Sequence, residues 1–180
     1  MVKNKALAFL GITTQKIDLK EGFISGLGGF CGIAGVYVVS RLFILDDMTT
    51  LFVVASMGSS AVLLFAAPHS PLTQPWNVLA GHLLSAFIGV SCAKYFGVEL
   101  IAAAASVGIS IMVMYFARCL HPPAGATTLF AVIGGPSVHV LGYSYVFAPI
   151  LIDTLVILGV AMLFNLLFSW RRYPRYLAKD

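Results

Sequence analysis

Charged residues are scarce in this sequence: Asp, Glu, Lys and Arg make up only 10% of its 180 residues. Soluble domains carry about 25% charged residues on average. Hydrophobic residues make up 59% of the chain, and the mean hydropathy is +0.95. This composition excludes an ordinary soluble domain and predicts that lipid is the solvent for most of the protein surface.

Cysteine is scarce as well, and the common catalytic motifs are missing. The three cysteines are odd in number and far apart, which excludes a disulfide framework and a C-x-x-C metal site. The sequence has no G-x-S-x-G elbow, no H-E-x-x-H helix and no Walker loop. Its four histidines are too widely separated for a local metal motif. We therefore predict no enzymatic activity, no metal and no cofactor.

Basic residues are concentrated at the two ends of the chain, before Gly22 and after Trp170. No basic stripe interleaved with aromatic residues accompanies them, which argues against nucleic acid as a partner. Basic residues that flank membrane helices stay on the cytoplasmic side. We therefore predict a multi-pass protein of the cell membrane, with a cytoplasmic or interfacial segment at 1–21 and a basic cytoplasmic tail at 171–180.

Six apolar segments predict an all-α membrane protein with about six transmembrane helices, because one crossing needs about 20 residues. The segments are 22–45, 49–67, 76–96, 98–117, a fifth between Pro123 and Gly134, and 143–170. The fifth has about ten helix-forming residues, too few to span a bilayer. Two cytoplasmic ends require an even number of crossings. The alternatives are six crossings, or four with segments two and five as re-entrant loops.

A short internal match favours six crossings. A shift of 65 residues, from Leu64 to Leu129, superposes two Leu-Phe-Ala triplets. Each half then reads as a long helix, a short helix headed by small residues, and a long helix. This pattern predicts inverted repeats at 22–96 and 98–170, with short or broken second and fifth helices. The alternative is that helices rich in small residues resemble each other by composition alone.

The fifth segment contains the candidate binding site. Pro122 and Pro123 fix the entry of the helix, and the backbone N–H groups that follow them are free to face a ligand. Helix N-termini attract anions through such donors and through the macrodipole. Small residues in the second segment offer the same chemistry. We predict two helix starts that bind a small anion through Gly58, Ser59, Ser60, His121, Ala124, Gly125, Ala126, Thr127 and Thr128. The alternative is a Pro-kinked helix with a small-residue packing face.

The same stretch resembles a known family. His121-Pro122-Pro123-Ala124-Gly125-Ala126, followed by Gly134-Gly135, is similar to the signature of the HPP family of integral membrane proteins. The resemblance extends to Gly58-Ser59-Ser60-Ala61 and covers about 22–170. Members in cyanobacteria and plastids are associated with nitrite transport, while many bacterial members have no assigned substrate. The resemblance therefore implies a membrane transporter with nitrite as the first candidate substrate.

Three isolated polar residues are candidates for gating or proton coupling: Asp153, His82 and Arg118. An ionisable residue within a membrane helix is costly and is a reason to expect function. The alternatives are a hydrogen-bonding role for Asp153 or His82, and a surface anchor for Arg118. Tyr145 fits an interfacial aromatic belt.

The leading hypothesis is transport of a small monovalent anion, most simply nitrite, through the two helix starts. The rivals are a membrane scaffold that transports nothing and an intramembrane anion sensor. The expected partners are the anion, the lipid bilayer and further copies of the chain. A homo-oligomer is expected because the glycine-rich face of the first helix suits packing against another helix; it contains Gly26, Gly29, Gly32 and Gly35.

Overall fold

A computed structural model describes residues 9–10, 18–43 and 47–175 of the chain. These residues form helices and connecting turns and contain no strand, so the predicted all-α class is confirmed. The α-helices are α1 (Leu19–Phe43), α2 (Asp47–Ala66), α3 (Pro75–Phe96), α4 (Leu100–Phe116), α5 (Ala124–Ile133), α6 (Pro136–His139) and α7 (Ile152–Leu166). A 3₁₀ turn at Pro71–Thr73 precedes α3, and a π-helical segment at Val146–Leu151 leads into α7.

The helices differ in the length of their apolar stretches, and that of the 20-residue α2 is counted from Val53. Three are long and apolar enough to cross a membrane, at Leu19–Leu42, Pro75–Phe96 and Val146–Leu166. Three shorter apolar helices lie at Val53–Ala66, Leu100–Phe116 and Ala124–Ile133. All six predicted segments are therefore helical within the described residues. The fifth is the shortest of them, at ten residues, as its flanking prolines and glycines predicted.

The second helix differs from its prediction. We expected it to be short or broken, with a helix start at the small residues Gly58 to Ala61. Instead α2 is a continuous helix of 20 residues that passes through them in its second half. The physical reason is that the segment contains no proline and no polar interruption, and a helix whose N–H groups are bonded internally can include Gly and Ser without breaking.

The two predicted halves of the chain are interleaved rather than separate. Helix α1 packs against α2 and against α7 of the other half, whereas α3 packs against α4 and α5. Glycine permits the closest approach between α3 and α5, because a Cβ atom on Gly89 would lie 2.6 Å from the Thr128 carbonyl oxygen. Part of the glycine face of α1 is also used within the chain: Gly32 faces Phe65, whereas Gly26 has open space beside it.

Arg171 joins both ends of the described helical core. Its side chain is fully buried and forms an ion pair of 2.7 Å with Glu21 at the start of α1. It also donates hydrogen bonds to the Phe65 carbonyl at the end of α2 and to Asn165 in α7. Arg171, the first residue of the predicted basic tail, is therefore part of the helical core, because a guanidinium with several acceptors can be buried.

Asp18 caps the start of α1. Its carboxylate accepts hydrogen bonds from the backbone N–H groups of Lys20 and Glu21, as an N-cap residue does. The side chain of Glu21 does not complete a capping box. It binds Arg171 and accepts a hydrogen bond from the Trp170 indole instead. Most of the predicted segment 1–21 lies outside the described residues.

Candidate functional site

A chain of hydrogen bonds between buried side chains links α2, α3 and α5. The Ser60 hydroxyl lies 2.8 Å from His82 Nε2 and 3.0 Å from His121 Nε2. His82 Nδ1 lies 2.7 Å from the Thr127 hydroxyl, and His121 Nδ1 lies 2.8 Å from the carbonyl oxygen of Leu72. All four side chains are fully buried. We call this group the histidine chain.

The carbonyl of Leu72 fixes the direction of these hydrogen bonds when both imidazoles are neutral. A carbonyl only accepts, so His121 carries its proton on Nδ1 and accepts at Nε2. The Ser60 hydroxyl then donates to His121 and accepts from His82 Nε2–H. His82 Nδ1 in turn accepts from the Thr127 hydroxyl. Every donor is used once, and the chain runs in one direction from Thr127 to Leu72.

Local sequence explains how these residues meet. Gly81 lets the start of α5 approach α3, because a Cβ atom there would lie 2.8 Å from His121 Cβ. The 3₁₀ turn after α2 presents the Leu72 carbonyl to His121, and Ser70 caps that turn by accepting from Leu72 N–H. The small Ser60 side chain then fits between two imidazole rings whose centroids are 5.1 Å apart.

A second group of hydroxyls supports the chain from the side of α4. The Thr128 hydroxyl lies 2.8 Å from that of Ser110 and donates to the Ser85 carbonyl. Tyr145 is fully buried and donates to the carbonyl of Thr127. The prediction that Tyr145 lies in an interfacial belt is therefore wrong, since its hydroxyl finds a backbone acceptor in the core.

The start of α5 does not present free backbone donors, contrary to expectation. The N–H groups of Ala124, Gly125 and Ala126 donate to the carbonyls of the three preceding residues at 2.9–3.1 Å. The His-Pro-Pro turn folds back tightly enough to supply these acceptors, as 3₁₀ turns often do at helix ends. The N–H groups on which the predicted anion site depends are therefore bonded within the turn itself, and the site at the helix starts stays a prediction.

The predicted site residues separate into buried and peripheral sets. Ser60, His121, Thr127 and Thr128 meet in the core with His82, as described above. Ser59 is exposed and donates to the Ser56 carbonyl, and it lines an outer groove with Ala126. Gly58 lines a separate groove beside α1. Arg118 is exposed near the start of α3 and adopts a positive φ of 52°.

Asp153 occupies a different buried position, between α7 and α1. Its side chain is fully buried, and Oδ2 accepts a hydrogen bond of 2.8 Å from the Ser40 hydroxyl. Within the part of the chain that the structure describes, Asp153 Oδ1 and the neighbouring Thr154 hydroxyl have no hydrogen-bond partner. We call Asp153, Ser40 and Thr154 the Asp153 site.

Grooves with a cationic side chain lie toward both ends of α3. One, of about 410 Å³, is lined by Lys94, His139 and Tyr143 near the end of α3. The other is lined by Arg118 and by Asn77 near the start of α3. His82 lies between these ends along the helix. The histidine chain is therefore flanked by cations on both sides while itself remaining closed.

A model of the HPP transmembrane region matches residues 14–174 of the chain. The chain belongs to the HPP transmembrane family. The match includes every residue of the histidine chain and of the Asp153 site. Membership in the HPP family and the apolar helices together establish a membrane protein.

Two transmembrane proteins of Dictyostelium discoideum are similar to this HPP chain. They are 34% and 36% identical to it over 163 residues, which is 88% of the chain. The matched region covers 52% and 56% of the relatives, so the chain spans about half of their length. No solved structure matches the chain.

Sequence reasoning identified most members of the histidine chain but not their arrangement. Leu72 was missed because its contribution is a backbone carbonyl, which any residue type provides. Ser40 and Tyr145 were missed because a single hydroxyl in an apolar run gives no periodic signal. The signal that could have found Tyr145 is its position just before Pro149, where a helix is interrupted and side chains can turn inward.

Proposed function

We propose that this HPP protein transports a small monovalent anion across the membrane, with nitrite as the first substrate to test. The observation that supports the proposal is the histidine chain: two histidines bridged by a serine and fully buried among apolar helices. Polar groups at membrane depth are costly and are typical of substrate or ion pathways. The family resemblance to nitrite-associated proteins points to the same substrate class.

The histidine chain offers two adjacent donors to an anion. His82 Nε2–H and the Ser60 hydroxyl meet at one oxygen atom in the closed state. A small anion that enters between them would receive one hydrogen bond from His82 Nε2–H and, once the Ser60 hydroxyl turns away from His121 Nε2, one from Ser60. The two oxygens of nitrite match these two donors. The chain therefore replaces the two helix starts as the proposed binding site, with Thr127 orienting His82.

The cations toward both ends of α3 suit an anion pathway. Lys94 and Arg118 are exposed and line grooves at opposite ends of the helix that carries His82. Positive charge at a mouth raises the local anion concentration without holding the anion tightly. We propose that both residues attract the anion and that both termini of the chain face the cytoplasm, as the basic ends favour.

The test is nitrite flux into liposomes that contain only this purified protein. We expect flux in the wild type and none in Ser60→Ala, which removes the hydroxyl between the histidines. Ser59→Ala is the matched control, because it removes an exposed hydroxyl one residue away and should retain flux. Arg118→Gln should weaken flux by lowering the anion concentration at the mouth.

Two other results would replace the proposal. Absence of both nitrite binding and nitrite flux in the wild type would favour a membrane scaffold. Tight nitrite binding without flux would favour an anion sensor. Equal flux in Ser60→Ala and the wild type, with both proteins monodisperse on size exclusion, would show that any transport does not use the histidine chain.

A further inference from the structure

The Asp153 site is the buried polar group that the proposed anion path leaves unused. A carboxylate oxygen and a hydroxyl on successive residues of α7 are both buried and both lack a hydrogen-bond partner among the described residues. Buried polar groups are paired in the great majority of cases, so each exception asks for an explanation. Two exceptions side by side in a membrane helix point to a ligand or to a change of state.

The helix is also interrupted beside this site. The segment that leads into α7 contains Pro149, and Ala148 there has the non-helical dihedrals φ −132° and ψ 112°. Asp153 therefore lies in the first turn of α7 after a break. Interrupted helices next to a buried ionisable residue are a recurring arrangement at the coupling sites of transporters.

Tyr145 connects the Asp153 site to the histidine chain. It lies just before the break in the segment that leads to Asp153, and it donates a hydrogen bond to the Thr127 carbonyl. The Thr127 hydroxyl in turn binds His82. The segment that precedes Asp153 is therefore bonded to the residue that positions the proposed anion donor.

We propose that Asp153 is the proton-binding site that couples anion transport to proton movement. This inference depends on the proposed function. The core formed by α1, α2, α3 and α7 would hold one negative charge at a time, either the Asp153 carboxylate or the anion at Ser60 and His82. Two anions in this low-dielectric region repel each other strongly. Entry of the anion would therefore require Asp153 to take up a proton and become a neutral carboxylic acid.

The surroundings favour a proton over a metal cation. A metal ion would need several oxygen ligands, whereas the side chains of the site supply only those of Asp153, Ser40 and Thr154. A proton needs the single unpartnered oxygen. The protonated Oδ1 would then be a hydrogen-bond donor instead of an unpaired acceptor.

Few other titratable groups face Asp153. From α1 it meets Ser40, while the neighbouring Arg41 is exposed. Along its own segment, the nearest described titratable residue in sequence is Tyr145, before the break. Helix α2 carries no titratable residue from Val53 to Ala66, and the buried titratable residues of α3 are His82 and Cys92. No described cation is bonded to the carboxyl group, so the proton is its simplest counter-charge.

The first experiment measures nitrite binding and proton uptake together, with purified protein in weakly buffered detergent. In the wild type at a pH above the midpoint, we expect uptake of about one proton per nitrite and a nitrite Kd that rises about tenfold per pH unit. Asp153→Asn keeps an acceptor for Ser40 but cannot titrate, so it should bind nitrite without proton uptake and with a flat pH dependence. Glu99→Gln removes an exposed carboxyl group and should behave as the wild type does.

A second variant protects the test against misfolding of Asp153→Asn. Ser40→Ala keeps the carboxyl group but removes the donor to Oδ2, which stabilises the ionised form. The pH midpoint of nitrite binding should therefore move to higher pH. Proton uptake that persists in Asp153→Asn would overturn the proposal and assign the proton to the histidines. An unmoved midpoint in folded Ser40→Ala would overturn the pairing of Ser40 with Asp153.

Infrared titration separates this inference from the proposed function. A carboxylic acid C=O band that titrates in the wild type and is missing in Asp153→Asn supports the proton site, even if the wild type neither binds nor moves nitrite. In that case the transport proposal fails and the proton site stands. A titrating band that is identical in both proteins overturns the proton site, whatever the flux.

Discussion

The histidine chain and the Asp153 site are both buried, yet they differ in how completely their polar atoms are paired. In the histidine chain each side-chain nitrogen and hydroxyl has a partner, and all bonds run in one direction. In the Asp153 site one carboxylate oxygen and one hydroxyl have none among the described residues. A satisfied network stabilises one conformation, whereas an unsatisfied one leaves free energy that another state can recover.

The largest expected loss of stability comes from a substitution in the histidine chain. Ser60→Ala removes the only group between two histidines and leaves both Nε2 atoms unpaired. Leaving buried polar groups unsatisfied costs about 1–3 kcal/mol each, so we expect a loss of about 2–4 kcal/mol in the free energy of unfolding. Reversible unfolding in mixed micelles measures this loss. Ser59→Ala should change it by less than about 0.5 kcal/mol, as exposed sites do.

If Ser60→Ala and Ser59→Ala were equally stable, the histidine chain would contribute nothing to the fold. The pairing of its polar atoms would then not distinguish it from the Asp153 site in stability.

The packing that holds the histidine chain gives the next effect. Gly89→Ala would place a methyl group 2.6 Å from Ala131 Cβ and from the Thr128 carbonyl, so α3 and α5 must separate. Overpacking of this kind costs about 1–3 kcal/mol. Gly108→Ala is the control, because a Cβ atom there meets no atom within 4 Å. The midpoint temperature of thermal unfolding in detergent should be clearly lower in Gly89→Ala than in the wild type. It should be unchanged in Gly108→Ala.

A single hydrogen bond of the chain gives a smaller effect. Thr127→Val keeps the shape of the side chain and removes the hydroxyl that donates to His82 Nδ1. We expect a loss of about 1–2 kcal/mol in unfolding free energy, because one buried imidazole nitrogen loses its partner. The measurement is the same unfolding experiment. Stability equal to the wild type would mean that the imidazole finds another donor.

The smallest effect is expected in the Asp153 site, when Thr154 is replaced by Val as Thr127 was. Its hydroxyl has no partner among the described residues, so Thr154→Val removes a buried polar group without breaking a hydrogen bond. We expect unfolding free energy unchanged or raised by up to about 1 kcal/mol. A loss as large as that of Thr127→Val would remove the contrast between the two groups.

The sequence predicts the helical segments of this fold well, because their signal is local. Long apolar runs and the prolines before Ala124 each act within a few residues, and the structure agrees with them. The prediction for α2 was wrong because it relied on likeness to α5. Small residues occur both at helix starts and at packed helix interiors, so Gly58 and Ser59 do not distinguish the two.

The site was predicted by residue type more successfully than by geometry. His82, His121, Ser60 and Thr127 were named, but the expected chemistry was that of backbone N–H groups. Two facts could not be predicted from the amino-acid sequence. The first N–H groups of α5 donate to the carbonyls of the His-Pro-Pro turn itself. The two imidazoles meet at the Ser60 hydroxyl, which is 22 and 61 residues away from them in sequence.

The contact between Arg171 and Glu21 has a consequence for biosynthesis. Residue 21 leaves the ribosome long before residue 171, and α1 has α2 as its first available neighbour. Only when α7 and Arg171 have been made can the guanidinium neutralise Glu21 and bind the Phe65 carbonyl. The Glu21 carboxylate at the start of the first helix therefore lacks this partner until residue 171 has been translated. A nascent chain arrested before Arg171 would present that charged, unclosed end to the quality-control proteases of the membrane.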